Sequence, residues 1–185
     1  MARLTNHYEA AFEAWLIDHD LPYLAVDERR RNQLEDVSLK SMDFLVPLEC
    51  GQTLVIDVKG RRSPKTAKAK RWENWCPEDD IRSLKHWESI FGPGYQAMLV
   101  FAYELQNSPE NLCRSPHSAS SLLRFSDQDY LFEAITIASY QQAMRRRSVS
   151  WKTVHLLAAD SAELLQPLAP MIEALNSNAC CFEEI

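Results

Sequence analysis

The chain has 185 residues, enough for one domain with additions, and is 46% hydrophobic and 25% charged, the balance of a soluble globular protein. A net charge of −6 excludes a chain that is basic throughout, and no stretch approaches eighteen apolar residues, which excludes a membrane-spanning helix. Met1 leads into Ala-Arg-Leu-Thr-Asn-His rather than an apolar run, and Cys50, Cys76, Cys113, Cys180 and Cys181 form no C-x-x-C pair. The expectation is a cytoplasmic protein with reduced thiols, no secretion signal and no structural zinc.

The first element is an amphipathic helix over 6–19. Tyr8, Ala11, Phe12, Trp15 and Leu16 recur at helical spacing, and Asn6 with Glu9 can close a capping box. A strand is expected over 21–26, followed by a polar connection. Next comes a β-hairpin, 39–48 with 53–60, turning about Cys50. Period-two alternation puts Met42, Phe44, Val46, Leu48, Leu54, Ile56 and Val58 on one face. Ser41, Asp43, Leu45, Val55, Asp57 and Lys59 fall on the other, and a register slip of one would mix acids with the apolar set. A second helix starts near 78–80 with three acids, as the helix dipole favours, and stops at Gly92-Pro93-Gly94. Tyr95 to Tyr103 reads as a central buried strand. Residues 104–128 read as a polar excursion. Strands are expected over 130–137 and 151–157, and helices over 139–147 and 162–175. The order predicts a mixed α/β domain in which helices cover a central sheet.

The hairpin carries the chemistry. Asp43 and Asp57 lie equally far from Cys50, so they face each other across the ladder, and Lys59 projects to the same side as Asp57. Magnesium takes hard oxygen ligands, usually one or two carboxylates with water and phosphate. Asp43 and Asp57 could share one ion, with the Val58 carbonyl as a third oxygen. Lys59 could orient a water or offset charge developing on a phosphate; a lysine there would also simply screen two acids. Directly after this motif, residues 59–71 hold seven Lys or Arg and no acid. Arg61, Arg62, Lys65, Lys68, Lys70 and Arg71 are therefore candidate nucleic-acid contacts, although such a run can also be a solvated loop. Trp72 and Trp75 could stack on bases or close over the core. Arg145, Arg146 and Arg147 with Lys152 are a second candidate phosphate patch, or the complement of a helix C-terminus. The four glycines form no phosphate-cradling loop, and the five histidines have no metal-ligand spacing.

Asp43, thirteen residues, Asp57, one residue and Lys59, with a helix before and a helix and buried strand after, resembles the PD-(D/E)XK nuclease superfamily. Met42 stands where the family's name has proline. The resemblance covers roughly residues 6–104. It implies a restriction-endonuclease-like, Holliday-junction-resolvase-like αβββαβ core, here followed by a C-terminal βαβα extension. It also implies a Mg²⁺- or Mn²⁺-dependent deoxyribonuclease with Asp43 and Asp57 on the metal and Lys59 catalytic. Glu9, with Glu13 as alternative, matches the first-helix acid of many members. A homodimer is what the fold family suggests for a chain that cuts two strands. The rival expectation is a catalytically inactive module of the same fold that binds nucleic acid or a protein partner.

Overall fold

The computed structural model describes residues 6–26, 40–64, 72–106 and 116–179. Its elements are α1 (His7–Asp18), β1 (Leu24–Ala25), β2 (Phe44–Pro47), β3 (Thr53–Arg62), β4 (Cys76–Pro77) and α2 (Glu78–Phe91). They continue with β5 (Tyr95–Glu104), a 3-10 turn (Pro116–Ser121), β6 (Leu122–Phe125), β7 (Gln128–Thr136), α3 (Ile137–Ala143) and β8 (Arg145–Ser148). The last are β9 (Thr153–His155), α4 (Ala158–Leu164), β10 (Gln166–Pro167) and α5 (Leu168–Ala179). Among the described residues the central sheet runs β1-β2-β3-β5-β7, with β6 and β10 sharing the outer edge of β7. A second, small sheet runs β4-β9-β8.

Each face of the central sheet buries a separate apolar layer. Phe12, Trp15 and Leu16 of α1 pack with Leu168 and Ile172 of α5 against Phe44, Val46, Leu54, Ile56 and Val58. On the other face Ile81 and Leu84 of α2 and Tyr140 of α3 pack against Val55, Leu99, Phe101 and Tyr103. Strand β5 is buried from Ala97 to Tyr103, as its continuous apolar run requires. It lies parallel to β3, Thr53 beside Tyr95 through Arg62 beside Glu104, with α2 as the crossover. The αβββαβ order is thus present, with β4 added ahead of α2.

The β2-β3 register is the expected one. Phe44 faces Ile56 and Pro47 faces Thr53, and the turn closes with Gly51 donating to Leu48 at 3.0 Å. Gly51 holds φ at 80°, a left-handed conformation suited to glycine. Three expectations change. Met42 joins Leu45 and Val55 in the layer under α2 instead of the α1 layer. The helix expected over 139–147 ends at Ala143; Met144 is extended, and Arg145–Ser148 pairs with β9. The helix expected over 162–175 is two helices, because Pro167 disfavours a helical residue before it and Gln166–Pro167 adds to the sheet edge instead.

The excursion over 104–128 hides a strand. β6 and β7 form a hairpin whose two-residue turn, Ser126-Asp127, has φ of 47° and 64°. That is the twist a tight hairpin needs, made here without the Asn-Gly signal. The extension therefore does not stand apart from the core: β7 pairs with β5 over seven residues, Met98 to Glu104.

Gly60 sets how closely α1 approaches the sheet. A Cβ built there would lie 2.0 Å from Cδ2 and 2.4 Å from Cγ of the Tyr8 ring. Gly60→Ala is expected to destabilise the fold by about 1–3 kcal/mol through overpacking. Urea unfolding checks this, and unchanged stability would mean that α1 is free to lift from β3.

Candidate active site

The candidate site forms where β2 and β3 begin to part, between the first turns of α1 and α2. Asp43 stands one residue ahead of β2. Its N–H donates to the Ile56 carbonyl at 2.9 Å, and its carbonyl accepts from Val26 N–H at 2.9 Å. Ile56 also faces Phe44, so two residues of one strand meet one of the other, a bulge-like offset. The offset turns the Asp43 side chain toward β3, where Oδ2 accepts the Val58 N–H at 2.6 Å. It also accounts for Met42 leaving the α1 layer. Asp43 and Asp57 are each 8% exposed.

Burial first, and then the charge of Asp57, hold the Asp43 carboxyl well above the usual carboxylate range. Glu9 adds to the push, while the Val58 N–H and Lys59 act against it. Asp43 thus feels both Asp57, the approach the hairpin register implied, and Glu9 of α1. Glu9 also has a local role. Asn6 Oδ1 accepts the Tyr8 N–H at 3.1 Å, and Asn6 Nδ2 donates to Glu9 Oε1 at 3.0 Å. The helix cap and proximity to Asp43 coexist, so they are not alternatives. Glu13 instead accepts from the Tyr23 hydroxyl at 2.8 Å.

Lys59 lies between two carboxylates. Nζ is 2.5 Å from Asp57 Oδ2 and 2.6 Å from Asp80 Oδ2. Burial alone would push its ammonium down; Asp57 and Asp80 outweigh that and hold it above its ordinary range. Asp80 also takes Lys40 Nζ on Oδ1 at 2.5 Å. Lys40 is fixed to α2 by its N–H to Ser83 Oγ at 3.1 Å and by Trp87 Nε1 to its carbonyl at 2.8 Å. From α2 to α1 the charges run Lys40, Asp80, Lys59, Asp57, Asp43, Glu9. Asp80 was missed in sequence because an acid in a helix's first turn already has a reason to be there. Its position three residues into a helix that covers a D-x-K strand was the available signal.

The basic segment divides. The Arg61 guanidinium donates to the Gly60 carbonyl at 2.6 Å and to the Trp75 carbonyl, and stacks on the Trp75 ring at 4.1 Å. Burial pushes it down. Arg61 is therefore occupied by protein contacts, whereas Arg62 is exposed and lies 3.5 Å from Glu104. Lys65, Lys68, Lys70 and Arg71 lie outside the described residues. Trp72 closes over the core, edge-on to Tyr103 with centroids 4.6 Å apart. Val58 meets the site through its N–H on Asp43. Among the described residues, no cluster of three or more His, Cys, Asp or Glu is placed to hold a metal.

A curled mixed sheet flanked by helices, with β3 parallel to the buried strand β5 that follows it, is the restriction-endonuclease-like fold. The structure is similar to that of Hjc, a Holliday junction resolvase from the archaeal hyperthermophile Archaeoglobus fulgidus. The similarity has a TM-score of 0.51 at 13% identity and covers 90% of this chain and 98% of that one. At that identity the likeness is one of fold. No family model matches the sequence. No curated protein matches it either.

The raised Asp43 carboxyl has a consequence for stability. Between its ordinary value near 3.8 and its higher folded value, the folded state binds more protons, so this group makes stability fall as pH rises. Asp43→Asn, which keeps an acceptor for Val58, is expected to be more stable than the wild type at pH 7 in EDTA. The gain should shrink toward zero below pH 3.8. Urea titrations across pH check this, and an Asn variant less stable at neutral pH would contradict the repulsion.

Proposed function

We infer that the protein is a Mg²⁺- or Mn²⁺-dependent nuclease that hydrolyses phosphodiester bonds of DNA. The observation that carries the reading is the pair of buried carboxylates, Asp43 and Asp57, with Asp43 driven toward its neutral form. Clustered buried acids destabilise a chain that only has to fold, and a hard divalent cation relieves them. The donor set fits such an ion: magnesium commonly takes one or two carboxylates and completes its shell with water and phosphate. Asp43 and Asp57 would hold it, with the Val58 carbonyl as a further oxygen. Bound there, a divalent cation supplies Lewis acidity toward the scissile phosphate and toward an attacking water.

The chain's own residues do the rest. Asp57 holds Lys59 from one side and Asp80 from the other, so the ammonium has a fixed place beside the carboxylates. Lys59 orients the attacking water and stabilises the negative charge that gathers on the phosphoryl oxygens. Asp80 acts through Lys59 as a positioning residue, and Lys40 balances its second oxygen. Glu9 adds negative charge on the α1 side, where it strengthens the demand for a cation. Both helices present their N-terminal first turns to this place, where an acid is favourable.

The test is a cleavage panel over duplex, branched and single-stranded DNA and RNA, with Mg²⁺ or Mn²⁺ and with a chelator. Metal-dependent cutting of at least one DNA form is expected. Asp57→Ala should abolish it, and Lys59→Ala should lower kcat by about 100- to 1,000-fold. Cutting that persists in chelator or in Asp57→Ala would overturn the mechanism. No cutting of any form, with nucleic acid still bound, would favour the inactive module.

A further inference from the structure

Strands β8 and β9 form a hairpin of the second sheet, packed on the central sheet's α2 layer through Val154, and the site does not use its sequence. From Arg145 to Leu157 it holds three arginines and a lysine and no acid. Arg145, Arg146 and Arg147 are exposed, on a strand whose outer edge has no partner among the described residues. At the tip Val149 is 74% exposed and Trp151 80%, the two highest values among the large exposed hydrophobic side chains.

The tip is built rather than loose. Trp151 N–H donates to Ser148 Oγ at 3.3 Å, and Lys152 N–H to the Val149 carbonyl at 3.3 Å. Lys152 takes a left-handed φ of 45° to complete the turn. The turn is tied to the start of α2. β9 pairs with β4, and the Glu78 N–H donates to the Lys152 carbonyl at 2.8 Å, two residues before Asp80. Two of the arginines have work within the protein. Arg145 donates to the Ala143 and Met144 carbonyls at the end of α3. Arg147, the extra residue of a bulge, stacks on the Trp75 ring at 4.7 Å and lies 3.8 Å from Glu73. Arg146 and Lys152 are left to face outward.

Charge on an edge strand can serve only to block pairing with another chain. That purpose is met by the arginines and is worsened by an exposed indole beside them. Cations that match phosphates, with an exposed aromatic that matches the face of a base, are the two components of single-strand recognition.

We propose that the β8-β9 hairpin is a nucleic-acid contact in its own right: Arg146 and Lys152 take phosphates, and Trp151 stacks on an unstacked base. The proposal rests on the nuclease reading for the kind of polyanion involved. It adds that the chain favours a nucleic acid with at least one unstacked base over a blunt duplex, and that the contact lies beside α2, next to the reacting centre.

The experiment measures binding of the full chain, in EDTA, to a fluorescein-labelled duplex with a single-stranded tail and to the same duplex blunt-ended. Wild type is compared with Trp151→Ala and with Arg146→Ala/Lys152→Asn, the Asn chosen to tolerate the left-handed backbone. All three residues are solvent-facing, and circular dichroism melts verify that the variants fold. Trp151→Ala should weaken the tailed duplex by about 5- to 100-fold and hardly change the blunt one. The charge variant should weaken both and reduce the slope of log Kd against log salt by about 2. Wild-type affinity and salt slope in both variants, or no binding by the wild type, would overturn the proposal. Metal-dependent cleavage by a protein whose variants bind unchanged would reject the hairpin contact and leave the nuclease reading standing. Hairpin-dependent binding without cleavage would do the reverse.

Discussion

Two carboxylates, Asp43 and Asp57, are buried within reach of each other's charge, and the arrangement of the surrounding elements follows from holding them there. Like charges removed from water repel strongly, so nothing but a constrained backbone keeps such a pair together. The constraint is the β2-β3 register, which is fixed by the apolar alternation of Phe44, Val46, Leu54 and Ile56 under α1. The offset at Asp43 then directs its carboxylate to the Val58 N–H. Side chains that only fill the core thereby determine where the acids stand.

The rest of the charge array is delivered by helix ends. α1 reaches the sheet closely because Gly60 has no side chain to meet Tyr8, and this brings Glu9 into the field of Asp43. α2 begins directly after Pro77, without a side-chain cap, and its first turn lowers Asp80 onto Lys59. Lys59 is consequently held by ion pairs on two elements, β3 and α2. An ammonium so placed needs little reorganisation when charge develops beside it, which is the condition that the proposed role of Lys59 requires.

Much of this was legible in the sequence wherever local pattern and tertiary placement agree. The boundaries of α1, β3, α2 and β5 follow from helical spacing, strict alternation or an unbroken apolar run, and the structure keeps them nearly unchanged. The approach of Asp43 and Asp57 followed from their symmetry about Cys50. What was not legible depended on partners distant in sequence. Arg145–Ser148 looks helical in isolation and becomes a strand because β9 offers it a partner. Ser126-Asp127 closes a hairpin with no glycine to announce it. Asp80 resembled a dipole-matched surface acid, and only the packing of α2 over β3 shows it meeting Lys59. Arg61 read as a phosphate contact, yet Trp75 arrives from fourteen residues away to receive it.

We propose that the Asp43 and Asp57 carboxylates together take a divalent cation. Isothermal titration of the metal-free protein with Mn²⁺ tests it without any substrate. Saturable binding by the wild type that is lost in both Asp43→Asn and Asp57→Asn is the predicted result. Heats that are absent in the wild type, or equally present in the two variants, would contradict it.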